Sequence, residues 1–185
     1  MPSWLWIFIA ALAVFLLYGL WTYNRLVGLS KRADGAWSDI DVQLKRRWDL
    51  VPALVSSVQG YARYESETLE KVVEARNEAT QAGTVANRGE SERGLSSAVS
   101  RIFALAEAYP DLKANQQFLD LQKNLSGIED QVQSARRYYN AVVRDLNTLI
   151  ESFPALLVAG ATSFSARDYF QLDDEGERAA PAVKL

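Results

Sequence analysis

From Phe118 to Phe153, apolar side chains recur at alternating steps of three and four. Phe118, Leu121, Leu125, Ile128, Val132, Ala135, Tyr139, Val142, Leu146, Leu149 and Phe153 keep the rhythm without a miss. This is a coiled-coil-like seam, about 54 Å long from Phe118 to Phe153 at ~1.5 Å per residue, and it predicts a helix over 115–153. Val143 and Ile150 widen the stripe near its end, which suits a globular bundle better than a two-stranded coil. Pro154 disfavours helical geometry at Phe153 and ends the element. Leu95, Ala98, Ile102, Leu105 and Tyr109 repeat the spacing and predict a helix over 92–109. "YPDLKAN" reads as a tight connection between the two, and the small, polar, glycine-bearing "TQAGTVANRGESERG" (80–94) reads as a loop.

The first half carries its own seam: Ala33, Trp37, Ile40, Leu44, Val51, Leu54, Val58 and Tyr61, then Val72, Ala75 and Ala79, with Arg47 and Glu65 as interruptions. Gly60 and a candidate N-cap at Ser66 predict a break and two helices, near 24–60 and 66–80. One continuous helix over 24–80 is the rival arrangement. Short connections make the soluble helices mostly antiparallel neighbours. The segment "PALLVAGATSFSARDYF" is too apolar for a linker; Phe164, Tyr169 and Phe170 are expected to pack back on the bundle.

Trp4 to Tyr23, "WLWIFIAALAVFLLYGLWTY", has no charged side chain. As a helix it is about 30 Å long, the hydrocarbon thickness of a bilayer. Trp4 and Trp6 at one end and Trp21 and Tyr23 at the other are placed as aromatic rings at the two interfaces. A cleaved signal peptide would show a basic start, a shorter apolar core and a small-x-small site, none of which is present. Arg25, Lys31, Arg32, Lys45, Arg46 and Arg47 all follow the span and no Lys or Arg precedes it. The positive-inside rule therefore puts the short N-terminus outside the cell membrane and the domain in the cytoplasm.

Pro52 stands inside the predicted 24–60 helix, where it removes one backbone hydrogen bond and opposes the carbonyl four residues back. A kink is expected near Trp48–Pro52, with Arg46, Arg47 and Asp49 supplying polar partners. Two readings stand: a local salt-bridge cluster, or a docking point for a partner or anionic lipid headgroups. "ARRYY" raises the same choice. Tyr139 lies on the seam, while Arg136, Arg137 and Tyr138 either flank it as ion-pair partners or join the interaction surface.

Composition narrows the chemistry. The 185 residues are 49% hydrophobic and 23% charged, which marks a folded chain. They contain neither cysteine nor histidine. This removes disulfides, thiolate and imidazole metal sites, and the Ser-His-Asp and Cys-His nucleophiles. Carboxylate-only chemistry is left, yet Asp39 and Asp41 are two apart on a helix and cannot face each other, and Glu67 and Glu70 read as a solvated face. Net charge is −3 and no aromatic-interleaved basic stripe continues the 45–47 triplet, which argues against nucleic acid.

"YNRLVGL" after the apolar span, "AWSDIDVQLKRRWDLVPALVSSVQGYARYE", "AEAYPDLKANQQFLDLQ" and "ARRYYNAVVRDLNTLIESFP" together resemble the LemA family, in order and over about residues 20 to 170. Trp48 stands where a tyrosine is common, Ala53 where an asparagine is common, and "EDQV" and "SFSARDYF" are variant forms of their motifs. The resemblance implies an N-terminal transmembrane helix with a short extracellular start and an antiparallel four-helix bundle. It supplies no catalytic residue. A relative in magnetosome-forming bacteria is associated with membrane-organelle formation, which implies membrane organisation as a role.

The expected architecture is all-α: an N-terminal transmembrane anchor over 1–23, an antiparallel four-helix bundle with long helices over 24–172, and a flexible tail over 173–185. The expected function is that of a non-enzymatic scaffold or adaptor without cofactor or metal. It is held in the bilayer by residues 4–23 and partnered by a second copy or another membrane protein. The alternative is direct membrane remodelling, in which the basic run 25–47 attracts an anionic leaflet at about 1 kcal/mol per well-placed cation.

Overall fold

Along the first helix, burial steps through Thr22, Leu26, Ala33, Ala36, Ile40, Leu44, Arg47, Val51, Leu54 and Val58, with half-buried Leu29 filling the one longer gap. That three-four rhythm is one face of a continuous helix. In the computed structural model, which describes residues 2–171, α1 runs Ser3–Gln59 with Pro52 inside it. The other elements are α2 (Ser66–Gln81), α3 (Val85–Ala106), α4 (Pro110–Lys113), α5 (Gln116–Glu151) and α6 (Ala155–Gly160). The described residues are all-helical and contain no strand. The expected flexible tail, 173–185, lies outside the described residues.

Several boundaries differ from expectation. The break between Gln59 and Ser66 rules out one helix over 24–80. Ser66 is the first helical residue rather than the cap; Glu65 occupies the cap position without a side-chain hydrogen bond. Helix α3 starts at Val85, so most of the expected loop over 80–94 is helical. Thr84 makes this possible by accepting the Asn87 backbone N–H at 3.2 Å, an N-cap that the polar composition concealed. The "YPDLKAN" connection contains the single turn α4. Asn115 then caps α5 through the Phe118 N–H at 3.1 Å.

The described residues divide into two compact units, one formed by those up to Asp39 with Arg137–Asp168, the other by Ile40–Arg136 with Tyr169, Phe170 and Gln171. In the first, Leu26, Leu146 and Ala159 form a buried core, with Leu29, Leu149, Ile150, Val158 and Phe164 packed on it. Residues before Thr22 on α1 are almost all exposed: Trp4, Trp6, Ile7, Phe8, Phe15, Leu17 and Leu20 bury little of their surface. Among the described residues α1 is the one helix long and apolar enough to cross a membrane.

The segment after α6 is pinned in the same unit. Arg167 donates to Asp34 at 2.7 Å and to Ser30 at 2.9 Å, and its peptide exchanges two 2.9 Å bonds with the Asn147 amide. The Tyr139 hydroxyl donates to the Asp168 carbonyl at 3.0 Å, and its ring packs on Trp37 at 5.3 Å. Phe164 meets Tyr23 edge-on at 5.8 Å. Phe153, expected to close the α5 seam, is instead 79% exposed, because α5 ends at Glu151 before Pro154.

In the second unit, Val51, Leu54, Val58, Leu69, Val72, Leu95, Ile102, Leu112, Phe118 and Leu125 belong to one buried cluster drawn from α1 to α5. Ala62, not Tyr61, carries the seam past Gln59. Phe170 is fully buried, and the returning chain passes so close to α3 that a Cβ on Gly89 would lie 2.3 Å from the Gln171 carbonyl oxygen. Gly89 is required by that approach, not by a turn.

Candidate functional site

Arg47 sits where the α1 seam calls for an apolar residue, between Leu44 and Val51, and it is 4% exposed. A buried guanidinium must be paired and hydrogen-bonded. Its Nη1 donates to Glu92 Oε2 at 3.3 Å, and its Nη2 donates to Ser96 Oγ at 2.7 Å and reaches Glu129 Oε2 at 3.2 Å. Glu92 is fully buried one step upstream of the α3 seam that begins at Leu95, and its Oε1 accepts the Trp48 indole N–H at 2.6 Å. Burial pushes the Glu92 carboxyl above the ordinary glutamate range; Arg47, the Trp48 N–H and Arg88 pull it back only in part.

Trp48 is the centre of a wider network. Arg88 stacks over its ring at 5.4 Å, pairs with Asp41 at 2.8 Å and donates to the Ala82 carbonyl at the end of α2. Because Pro52 has no N–H, the Trp48 carbonyl lacks its helical donor, and Arg76 Nε on α2 takes its place at 3.1 Å. The proline is thus compensated as expected, but by Arg76 and not by Arg46, Arg47 or Asp49. Arg46 and Asp49 are exposed on α1 and take no part in it.

Beside Arg47, α3 and α5 flank an open groove of about 690 Å³. Val99, Phe103, Leu119 and Leu125 give it apolar walls, while Ser100, Lys123 and Glu129 supply polar groups. Arg136 lies on α5 in this unit and is half-buried. Arg137 and Tyr138, both exposed, belong to the other unit. Trp4, Trp6, Trp21 and Tyr23 are exposed on α1, and Arg25 stacks over the Trp21 ring at 5.3 Å. None of Glu92, Glu129, Trp48, Arg76 and Arg88 is assigned to an interaction site by the sequence, where Trp48 and Glu129 enter only as variant motif positions and Trp48 as one bound of the expected kink. For Glu92 the available signal is local only: a carboxylate one seam step before Leu95 can mark a buried charge, but it names no partner.

The Arg47–Glu92–Trp48 cluster is internally paired. Its buried carboxylate is engaged by an arginine and an indole, and among the described residues no group of three or more acidic side chains is arranged to hold a metal ion.

These features define a class: an all-helical protein whose first helix is exposed and apolar along its start, then packed, with a polar network locking the helices beyond. The LemA family model matches residues 36–185, and the chain belongs to the LemA family. It is similar to magnetosome protein MamQ of Magnetospirillum gryphiswaldense, 23% identical over 195 residues, covering 91% of this chain and 72% of that protein. Magnetosome protein MamQ 2 of Paramagnetospirillum magneticum is also 23% identical, over 85% of this chain and 68% of its own length. Protein LemA of Metamycoplasma hominis is 26% identical over 79% of this chain and 67% of its own.

Proposed function

We propose that this protein is a single-pass membrane scaffold without enzymatic activity. Its bilayer anchor is the segment Trp4–Tyr23, its N-terminus lies outside, and its cytoplasmic helices form an antiparallel four-helix bundle from α1, α2, α3 and α5. The observation that carries the reading is α1 itself. An exposed apolar stretch of membrane-spanning length enters the core of the first unit at Leu26 with no intervening linker. Such a helix holds the domain firmly at the membrane, as a docking platform requires. The groove between α3 and α5, with apolar walls and polar groups around buried Arg47, is the surface offered to a partner protein. Two relatives are named as magnetosome proteins, and the corresponding proposal here is a role in organising a membrane-bound assembly.

A photo-crosslinking residue in place of Leu119, which is 40% exposed on the groove, tests this in intact cells. Tyr64, 99% exposed between α1 and α2, serves as the control position. Discrete adducts at Leu119 that are absent at Tyr64 support a docking scaffold, and a ladder of self-adducts identifies a second copy as the partner. Equal, diffuse labelling at both positions contradicts the reading.

A further inference from the structure

The segment "FPALLVAGA", residues 153–161, carries no charged side chain, and Phe153, Leu156 and Leu157 on it are 79%, 41% and 52% exposed. In water these side chains gain nothing from their position. Pro154 and Leu157 face Phe15, Leu16, Gly19 and Leu20 of α1 across a groove of about 390 Å³ whose lining is almost wholly apolar. Those α1 residues precede Tyr23 by three to eight positions, so they lie about 5–12 Å along the helix on the bilayer side of the Trp21–Tyr23 belt.

We infer that α6 and its flanks form a second membrane contact: a short element dipping beside the anchor into the same leaflet, with a lipid acyl chain filling the groove. This rests on the reading of α1 as a membrane span. Lipid is the fitting occupant because the groove opens from the same exposed apolar surface of α1 that the bilayer covers.

Part of the backbone is already paired for that medium, where an unmet polar group costs several kcal/mol. Leu156 N–H donates to the Ser152 carbonyl at 2.7 Å, Leu157 N–H to Pro154 at 3.1 Å and Ala161 N–H to Leu157 at 3.2 Å, while Pro154 has no N–H to satisfy. The hydroxyls that bracket the segment are also turned inward. Ser152 Oγ donates to the Thr148 carbonyl at 2.5 Å, and Thr162 Oγ1 to those of Val158 and Ala159 at 2.9 and 3.1 Å.

The chain has no cysteine, so single cysteines can be introduced in the full-length protein, labelled with an environment-sensitive fluorophore and reconstituted in phosphatidylcholine–phosphatidylglycerol vesicles. Leu157→Cys reports on α6, Leu17→Cys on the anchor and Tyr64→Cys on the aqueous domain. Leu156→Cys repeats the α6 test should Leu157→Cys lose helical circular dichroism. Lipids bearing a doxyl quencher near the headgroup end of the acyl chain or at mid-chain should quench the α6 label several-fold more than the Tyr64 label, and should act on the Leu17 label, which lies at the depth of the groove, to a similar extent. An unquenched α6 label beside a quenched Leu17 label overturns the inference and leaves the anchor standing. An unquenched Leu17 label overturns the membrane reading and this inference with it. An α6 label that is blue-shifted yet shielded from both quenchers also overturns it, in favour of a second protein copy over the groove.

Discussion

Replacing Arg47 with methionine keeps most of the side-chain volume and removes, among the described residues, the only full cation facing Glu92 at hydrogen-bond distance. The remaining carboxylate is fully buried, with the Trp48 indole as its one neutral donor. Breaking a buried pair from one side costs about 3–5 kcal/mol. Protonation sets a ceiling on the Glu92 share: neutralising a carboxyl of ordinary pKa ~4.3 at pH 7 costs about 2.7 × 1.36, or ~3.7 kcal/mol. The expected loss is therefore ~3–4 kcal/mol, a fall in Tm of roughly 6–16 °C for a chain of this size. Adding Glu92→Gln removes the stranded charge but keeps an oxygen acceptor for Trp48, so the double variant should recover at least ~2 kcal/mol relative to R47M, a coupling that neighbouring residues of one network can show. Circular dichroism at 222 nm during thermal unfolding of the full chain in detergent measures all four members of the cycle. The R47M deficit should also shrink as pH falls, because Glu92 then takes up its proton from solution. A loss below ~1 kcal/mol, or no rescue by E92Q, would refute the claim that Arg47 and Glu92 act as one buried unit.

Glu92 sets a pH dependence of its own. Its folded-state pKa is raised by burial, so between the ordinary value and the raised one the native state holds more protons than the unfolded chain. Wild type should accordingly gain stability relative to E92Q as pH falls from 7 towards the ordinary carboxylate range; a constant difference in Tm across that range would contradict the shift. Pro52→Ala restores an N–H that can bond the Trp48 carbonyl, so Arg76→Ala should cost about 1 kcal/mol in the native background and close to nothing beside P52A. Additive Tm changes in that cycle would sink the compensation argument. Gly89→Ala drives a methyl to 2.3 Å from the Gln171 carbonyl oxygen, and the backbone at Phe170 and Gln171 must shift, at about 1–3 kcal/mol. Proteolysis near Phe170 should then be faster than in wild type, and unchanged cleavage would mean that the chain does not pass over α3.

What the sequence disclosed follows from how far each signal reaches. The seams of α1 and α5 are local and periodic, and buried positions such as Ile40, Leu44, Val51, Leu121, Val132 and Leu146 lie where the rhythm places them. Ala36 rather than Trp37 takes the fully buried position, since a small residue lets the helix approach while the indole packs from the side on Tyr139. The polar run 85–94 concealed a helix because its glycines suggested turns, yet Gly89 serves the close passage of Gln171. Pro154 is the stop that the sequence marks for α5, but its reach is longer than the seam suggests: the helix ends at Glu151, two residues before Phe153, which is left exposed. The Arg47–Glu92 pair spans 45 positions and Arg76–Trp48 spans 28, and no local pattern encodes a partner at such separations. Arg47 itself was visible as an interruption; what it interrupts for was not.

The central claim is that a membrane-spanning stretch and a packed core helix are one unbroken α1. Spin labels placed singly from Phe8 to Asp39 in the full chain, reconstituted in lipid nanodiscs, report oxygen accessibility position by position. The account predicts high, nearly aperiodic accessibility to about Leu20. A 3.6-residue oscillation should follow, with minima at Leu26, Leu29, Ala33 and Ala36, and no phase slip between Thr22 and Ala36. Low oxygen accessibility over the first stretch, or a break in helical phase after Tyr23, would contradict it.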